Sequence, residues 1–256
     1  MMTKDDLEKL VEKMIRRIFD DQGFTGSVED DMVKYYADQY WKATTEGFGQ
    51  DLSTVDLNTP DYKFLQRLQE DVWHFAAAKN YTELKAISNE LIGPDNKLRE
   101  FKDFQIAAMQ ISDEHNNAWL RTEYNFAVAS GQMGAKWQTI EEGKIDLPLL
   151  KYVTVGDDRV RPAHRALEGV TRPVDDKFWN TYYPPNGWNC RCTVFQLTGD
   201  EEATLLKDIE YPDEMPSLFK GNLGKSGLIF PPSHPYYTGL PDDVRQRAQE
   251  LLKKYE

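Results

Sequence analysis

From Lys97 to Ser130 the sequence contains neither proline nor glycine. Through that stretch Leu98, Phe101, Phe104, Ala108, Ile111, His115, Trp119, Thr122, Phe126 and Ala129 recur at three- and four-residue intervals, the spacing that aligns side chains on one face of a helix. The stretch reads as one long helix or as two that meet near Ser112 and Asp113. A helix of that length crosses a small domain from side to side, so the rest of the chain must pack along it.

Four shorter helices precede any strand signal. Leu7, Leu10, Val11, Met14, Ile15, Ile18 and Phe19 line one face between Thr3 and Asp20, with Thr3 and Asp6 placed as a capping box and Gly23 as a stop. Ser27 caps a second helix striped by Val28, Met32, Tyr35, Tyr36, Tyr40 and Ala43 and ended by Gly47 and Gly49. Phe64, Leu65, Leu68, Val72, Phe75 and Ala76 define a third, and Leu84, Ile87 and Leu91 a fourth that Asn80 opens and Gly93-Pro94 closes. After Gly143 the period changes. Leu149 to Val155 alternates and ends β-branched, Thr193 to Leu197 reads as a second strand, and Leu228-Ile229-Phe230 as an edge strand in a Gly/Pro-dense tail. Pro241 starts a closing helix with Val244, Ala248, Leu251 and Leu252. The expected fold class is α+β: a mostly helical N-terminal region over 1–96, then a long connector helix, a small sheet with irregular Pro/Gly-rich loops and the closing helix over 97–256.

Charge narrows the function classes. Lys+Arg 31 against Asp+Glu 43 gives a net charge of −12, the opposite of a general nucleic-acid binder's basic surplus. No run approaches the roughly 18 apolar residues of a membrane span, and the start MMTKDDLEKL is charged where a secretory leader is apolar, so a cytoplasmic origin and no membrane partner are expected. With Cys 2 in the whole chain there is no disulfide framework.

The chemistry concentrates between residues 149 and 197. Asp157, Asp158, Arg159, Arg161, His164 and Arg165 crowd a turn after the first strand, a density at which acids and arginines bond each other and the backbone. Trp179, Tyr182, Tyr183, Pro184, Pro185 and Trp188 form an aromatic and proline cluster that would cover a small sheet. Cys190 and Cys192 flank Arg191 just before the second strand, so an extended backbone there would point both thiols to one face.

The run D-x-R-V-R-x-x-H, then a glycine, then P-P-x-x-x-N-C-R-C opening a strand resembles the phage Mu protein F-like family of minor head proteins, also called the head morphogenesis domain. Asp157, Arg159, Val160, Arg161, His164, Gly169, Pro184, Pro185, Asn189, Cys190, Arg191 and Cys192 carry the match. Arg121-Thr122-Glu123 resembles the family's Arg/Thr/Glu helix, and residues 221–237 a tail found after the signature in some members. The resemblance covers 97–237; the first ninety residues share only helical character. It implies a non-enzymatic structural protein of the virion, made in the bacterial host cytoplasm and placed in the head interior or near the portal, with the portal and other head proteins as partners.

Bland and sharp readings compete at the signature. Thiols spaced C-x-C could bind zinc with His164 and a fourth ligand such as Asp157 or His234, but structural sites mostly use C-x(2–4)-C and a second ligand pair. The expectation is therefore no metal and no cofactor, with the cysteines packed as small apolar groups and His164 bonded to a backbone carbonyl or a carboxylate. A Cys190 or Cys192 nucleophile with His164 as base and Asp157 as orienter is the enzyme alternative, and a phage-delivered toxin the other. Gly224-Lys225-Ser226 imitates a nucleotide loop without the upstream glycine, since Phe219 stands there. The chain has no E-x-E or Q-x-E pair for ADP-ribosyl transfer and no H-E-x-x-H, and His115-Asn116-Asn117 lies inside the helical run. Asp157, Asp158 and Glu168 offset Arg159, Arg161, Arg165 and Arg172, so DNA binding is expected to be weak at most.

Overall fold

The computed structural model describes residues 2–57, 59–212 and 215–255. Its α+β architecture consists of α1 (Lys4–Asp20), α2 (Asp30–Phe48), α3 (Pro60–Asn89), α4 (Phe101–Asp113), a π-helical segment (Glu114–Trp119), α5 (Leu120–Gly143), β1 (Leu149–Val153), α6 (Pro162–Arg165), β2 (Thr171–Pro173), α7 (Trp179–Tyr182), β3 (Thr193–Leu197), α8 (Leu223–Ser226) and α9 (Asp242–Tyr255). Contacts divide the chain into one unit of Met1–Trp41, Gln69–Glu123 and His234–Glu256 and another of Lys42–Leu68 and Tyr124–Ser233.

The first unit is helical. Thr3 caps α1 through the expected box: its hydroxyl accepts from the Asp6 amide, and Asp6 accepts from the Thr3 amide at 3.2 Å. The α1 stripe buries Met14, Ile15 and Ile18 with Met32, Val33 and Tyr36 of α2, Val72 and Phe75 of α3 and Phe104 of α4. The closing helix α9 contributes Val244, Ala248 and Leu251 and ties to α2 through an Arg247–Asp30 ion pair. One correction concerns residues 60–89, where the expected third and fourth helices are one. No proline or glycine interrupts 61–92, and Asn80, read as a cap, turns its side-chain oxygen to the Glu29 amide at 2.8 Å, capping a different segment. The expected break near Ser112-Asp113 is the π-helical segment, whose extra residue per turn rotates the apolar stripe without ending the helical run.

In the second unit α5 passes close to the C-terminal part of α2. A Cβ on Gly47 would lie 2.0 Å from the Val128 carbonyl oxygen, and one on Gly131 would lie 2.2 Å from that of Thr44, so the two glycines are what lets the backbones meet. Gly47 therefore sits inside α2, and Gly49, at φ +82°, ends it. The sheet has the order β2-β1-β3, both pairs antiparallel, with Leu150 opposite Arg172 and Gln196, and Tyr152 opposite Val194. Leu150, Tyr152 and Val194 are fully buried. Leu228-Ile229-Phe230 forms no strand: Ile229 and Phe230 bury their side chains on irregular backbone, and Pro231-Pro232, lacking amide donors, closes off a ladder there. The short strand β2 was not foreseen, because Thr-Arg-Pro is too brief to show a period.

Candidate functional site

All the signature residues lie in the second unit, on loops hung between β1 and β3. Asp157 opens the turn after β1 and accepts both guanidinium nitrogens of Arg191, at 2.7 and 2.8 Å, together with the Arg159 amide at 3.1 Å. This fork-to-fork pair joins the first signature loop to the start of β3 and holds the Asp157 carboxyl at about 2, well below the usual carboxylate range. Arg161 donates to the Trp188 carbonyl at 2.6 Å, and Arg165 to the Asp157 carbonyl at 3.1 Å. Arg159, exposed, adds a longer contact to Asp157 at 3.4 Å.

Beneath this polar frame His164 is buried on the short helix α6. Its Nε2 lies 3.1 Å from the Asn186 carbonyl oxygen, which fixes the proton there and leaves Nδ1 as an acceptor. Nδ1 faces both thiols, at 3.7 Å from Cys190 Sγ and 3.5 Å from Cys192 Sγ. The hydrogen bond with Cys192 pulls the Cys190 thiol below its ordinary value, while Cys190 and burial push the Cys192 thiol up. β3 begins at Thr193, after the cysteines, yet both thiols converge on one imidazole.

The other signature residues shape the backbone. Gly169 adopts φ +78° where its amide bonds the Tyr152 carbonyl, a left-handed turn that returns the chain to β2. Asn189, at φ +55°, takes the same region, which Asn tolerates, just before Cys190. Pro184 and Pro185 are buried and joined by a cis bond. Of the aromatic cluster, Tyr183 is buried and donates to the Met133 carbonyl at 2.9 Å. Sequence reasoning missed Asn186, a buried hub. Its carbonyl takes His164, its side-chain oxygen accepts Tyr152 at 3.0 Å, and its amide nitrogen donates to the Phe219 carbonyl at 3.1 Å. The enzyme alternative is not assembled. A Cys–His–Asp relay needs the carboxylate on the far imidazole nitrogen, where the Asn186 carbonyl stands, and both Asp157 oxygens are taken by Arg191. His234, weighed as a fourth zinc ligand, belongs to the other unit. Gly224-Lys225-Ser226 lies in the one-turn helix α8, followed by Gly227 at φ +70°.

Residues 76–195 match the family model described as Phage Mu protein F like protein. Over this segment the chain is similar to the Mu F-like family. A protein of Escherichia phage Mu named as its capsid assembly protein F is 36% identical over 92 residues, which are 36% of this chain and 21% of that one. The Mu-like prophage FluMu F protein of Haemophilus influenzae is 38% identical over 79 residues, 31% of this chain and 18% of the relative. The match thus spans about a fifth of these relatives' length. No solved structure matches the chain.

The Mu F-like segment also takes in a buried charged cluster of the first unit that the sequence analysis did not single out. Lys79, fully buried on α3, donates to Glu123 at 2.8 Å, and Glu123 also accepts from Tyr40 at 2.5 Å and Tyr236 at 2.9 Å. Glu83, one turn past Lys79, accepts from Tyr36 at 2.8 Å, Ser112 at 2.9 Å and Asn116 at 3.2 Å. Burial raises the Glu83 carboxyl, and it holds the neighbouring His115 and His234 down at about 3 and about 4. A signal was present: Lys79 and Glu83 continue the Val72, Phe75, Ala76 face, where an i,i+4 ion pair can face the core. Glu123 is the acid of the Arg/Thr/Glu resemblance.

Proposed function

We propose that this protein acts in phage or prophage head assembly as a non-enzymatic minor head protein that engages the portal. The observation that carries the reading is the Mu F-like segment, since both curated relatives that match it bear F-protein names and one is named for capsid assembly. The signature geometry supports a structural role for its residues. Asp157 and Arg191 satisfy each other, Arg161 and Arg165 cap backbone carbonyls, and His164 is bonded at Nε2 to the backbone, which is how a folding network behaves. Among the described residues no helix is long and apolar enough to cross a membrane, in keeping with a place in the virion, in the head interior or by the portal.

The test is co-expression with the portal protein of the same phage or prophage. A complex that co-elutes on size exclusion and survives moderate salt is expected. A chain that elutes alone while assembled heads of the same phage lack it would overturn the reading. Duplex DNA should bind only at low ionic strength, because Arg191 and Arg172 are paired with Asp157 and Asp176 and the chain carries −12 overall.

A further inference from the structure

We propose that His164, Cys190 and Cys192 bind one thiophilic divalent transition-metal ion, zinc in the cell, with a solvent molecule as the fourth ligand. The C-x-C spacing argued against a metal because it offered no second ligand pair; the fold supplies the third ligand from 26 residues upstream of Cys190. Zinc holds thiolate sulfur at about 2.3 Å and imidazole nitrogen at about 2.0–2.1 Å in a tetrahedron, which sets a nitrogen-to-sulfur separation of about 3.6 Å. The two separations here are 3.7 and 3.5 Å, and all three ligand atoms lie within 4.8 Å of one another. A lone thiol–imidazole hydrogen bond needs only one sulfur near Nδ1. Two, both at tetrahedral-edge distance, match the edges of a metal's ligand tetrahedron.

Three further observations point the same way. Ligating histidines donate their remote N–H to a carbonyl or carboxylate, which presents the other nitrogen unprotonated to the metal; His164 does this through Nε2 to the Asn186 carbonyl. Two thiolates neutralise a divalent ion, so the buried site carries no net charge, the condition under which a metal can leave water. A cavity of about 20 Å³ lined by Val160, Arg161, His164, Asn189, Cys190 and Cys192 has room for one water molecule. An open groove of about 690 Å³ reaches Cys190 and Cys192 beside Lys136 and Arg159 and provides a path of entry. Soft thiolates with one imidazole select zinc over magnesium or calcium, which want oxygen. Bound there, the ion would cross-link α6 to the entry of β3, beneath the Asp157–Arg191 pair.

The full chain, purified without a histidine tag, reduced and stripped with a chelator, is titrated with cobalt(II). The expected result is a thiolate-to-cobalt charge-transfer band in the near ultraviolet and tetrahedral visible bands that saturate at about one equivalent. Zinc should displace them and raise the melting temperature of the wild type, and the Cys190→Ser/Cys192→Ser variant should show neither band nor rise. Wild-type protein without the charge-transfer band at stoichiometric cobalt would overturn the proposal, and this reading does not depend on the variant folding. Bands that persist in the double variant would overturn it equally, because the sulfur ligands would then be absent.

Discussion

Replacing Lys79 by Met isolates the cost of leaving a buried carboxylate without its counter-ion. The Lys79 side chain is fully buried, Glu123 is 5% exposed, and the ammonium stands 2.8 Å from one carboxylate oxygen with Glu83 one turn away. Methionine fills a similar volume along the same path, so packing against Tyr36 and Tyr236 is largely kept and the charge is what is lost. Removing one partner of a buried ion pair costs about 3–5 kcal/mol. For a chain of this size that corresponds to a fall in melting temperature of roughly 6–20 °C. Urea unfolding followed by tryptophan fluorescence measures it. In the Lys79→Met/Glu123→Gln variant the glutamine oxygen accepts from one of the Tyr40 and Tyr236 hydroxyls and its NH2 donates to the other, and the unpaired charge is gone, so most of the loss should be recovered. A single variant within about 0.5 kcal/mol of wild type, or a double variant as unstable as the single, would refute the reasoning.

Asp157→Asn should lower the melting temperature at neutral pH. Because Arg191 depresses the Asp157 carboxyl from 3.8 to about 2, its stabilisation is present above the unfolded value and lost as pH falls towards 2; a gap between variant and wild type that does not close in acid would contradict this. His115 and His234 stay neutral in the fold at about 3 and about 4 against 6.5 unfolded, so stability should be full above pH 6.5 and decline as acid approaches those values. A melting temperature that is flat from pH 6.5 to 4, with His115→Phe unchanged from wild type, would speak against that burial. Gly131→Ala should cost about 1–3 kcal/mol, because its Cβ meets the Thr44 carbonyl oxygen at 2.2 Å and helix backbone must move. Gly143→Ala, whose nearest neighbour is at 3.6 Å, serves as the control in the same thermal melts, and equal losses in the two would discount the close approach.

Helix positions were legible wherever an apolar period ran unbroken, and α1, α9 and the two longer strands appear where the residues put them. Reading failed where a residue's local meaning was overruled at long range. Asn80 looks like a cap because Asn so often is one, and it does cap, but for Glu29, 51 residues away. Gly47 looks like a terminator, yet its missing side chain serves the crossing of Val128 over α2. Each compact unit draws residues from both sides of residue 96, and hydrophobic periodicity carries no record of which helices cluster together.

At the site, residue types that pair by charge could be read in advance, whereas the sequence names Cys190, Cys192 and His164 as zinc candidates without showing that they meet. Arginines beside aspartates announce internal pairing, since a planar fork of donors finds carboxylates and carbonyls wherever the chain bends, and Asp157, Arg161, Arg165 and Arg191 all satisfy that expectation. His164 also bonds a carbonyl as foreseen, but the consequence lies in its other nitrogen. Once Nε2 is committed to Asn186, Nδ1 must accept, and only the tertiary fold decides that two sulfurs rather than one stand before it. Asn186 sets that tautomer and also accepts the Tyr152 hydroxyl, though in the signature it occupies a position where any residue is written. Its hold on the His164 tautomer rests on a backbone carbonyl, which every residue possesses, so a side-chain pattern has no means of marking that role.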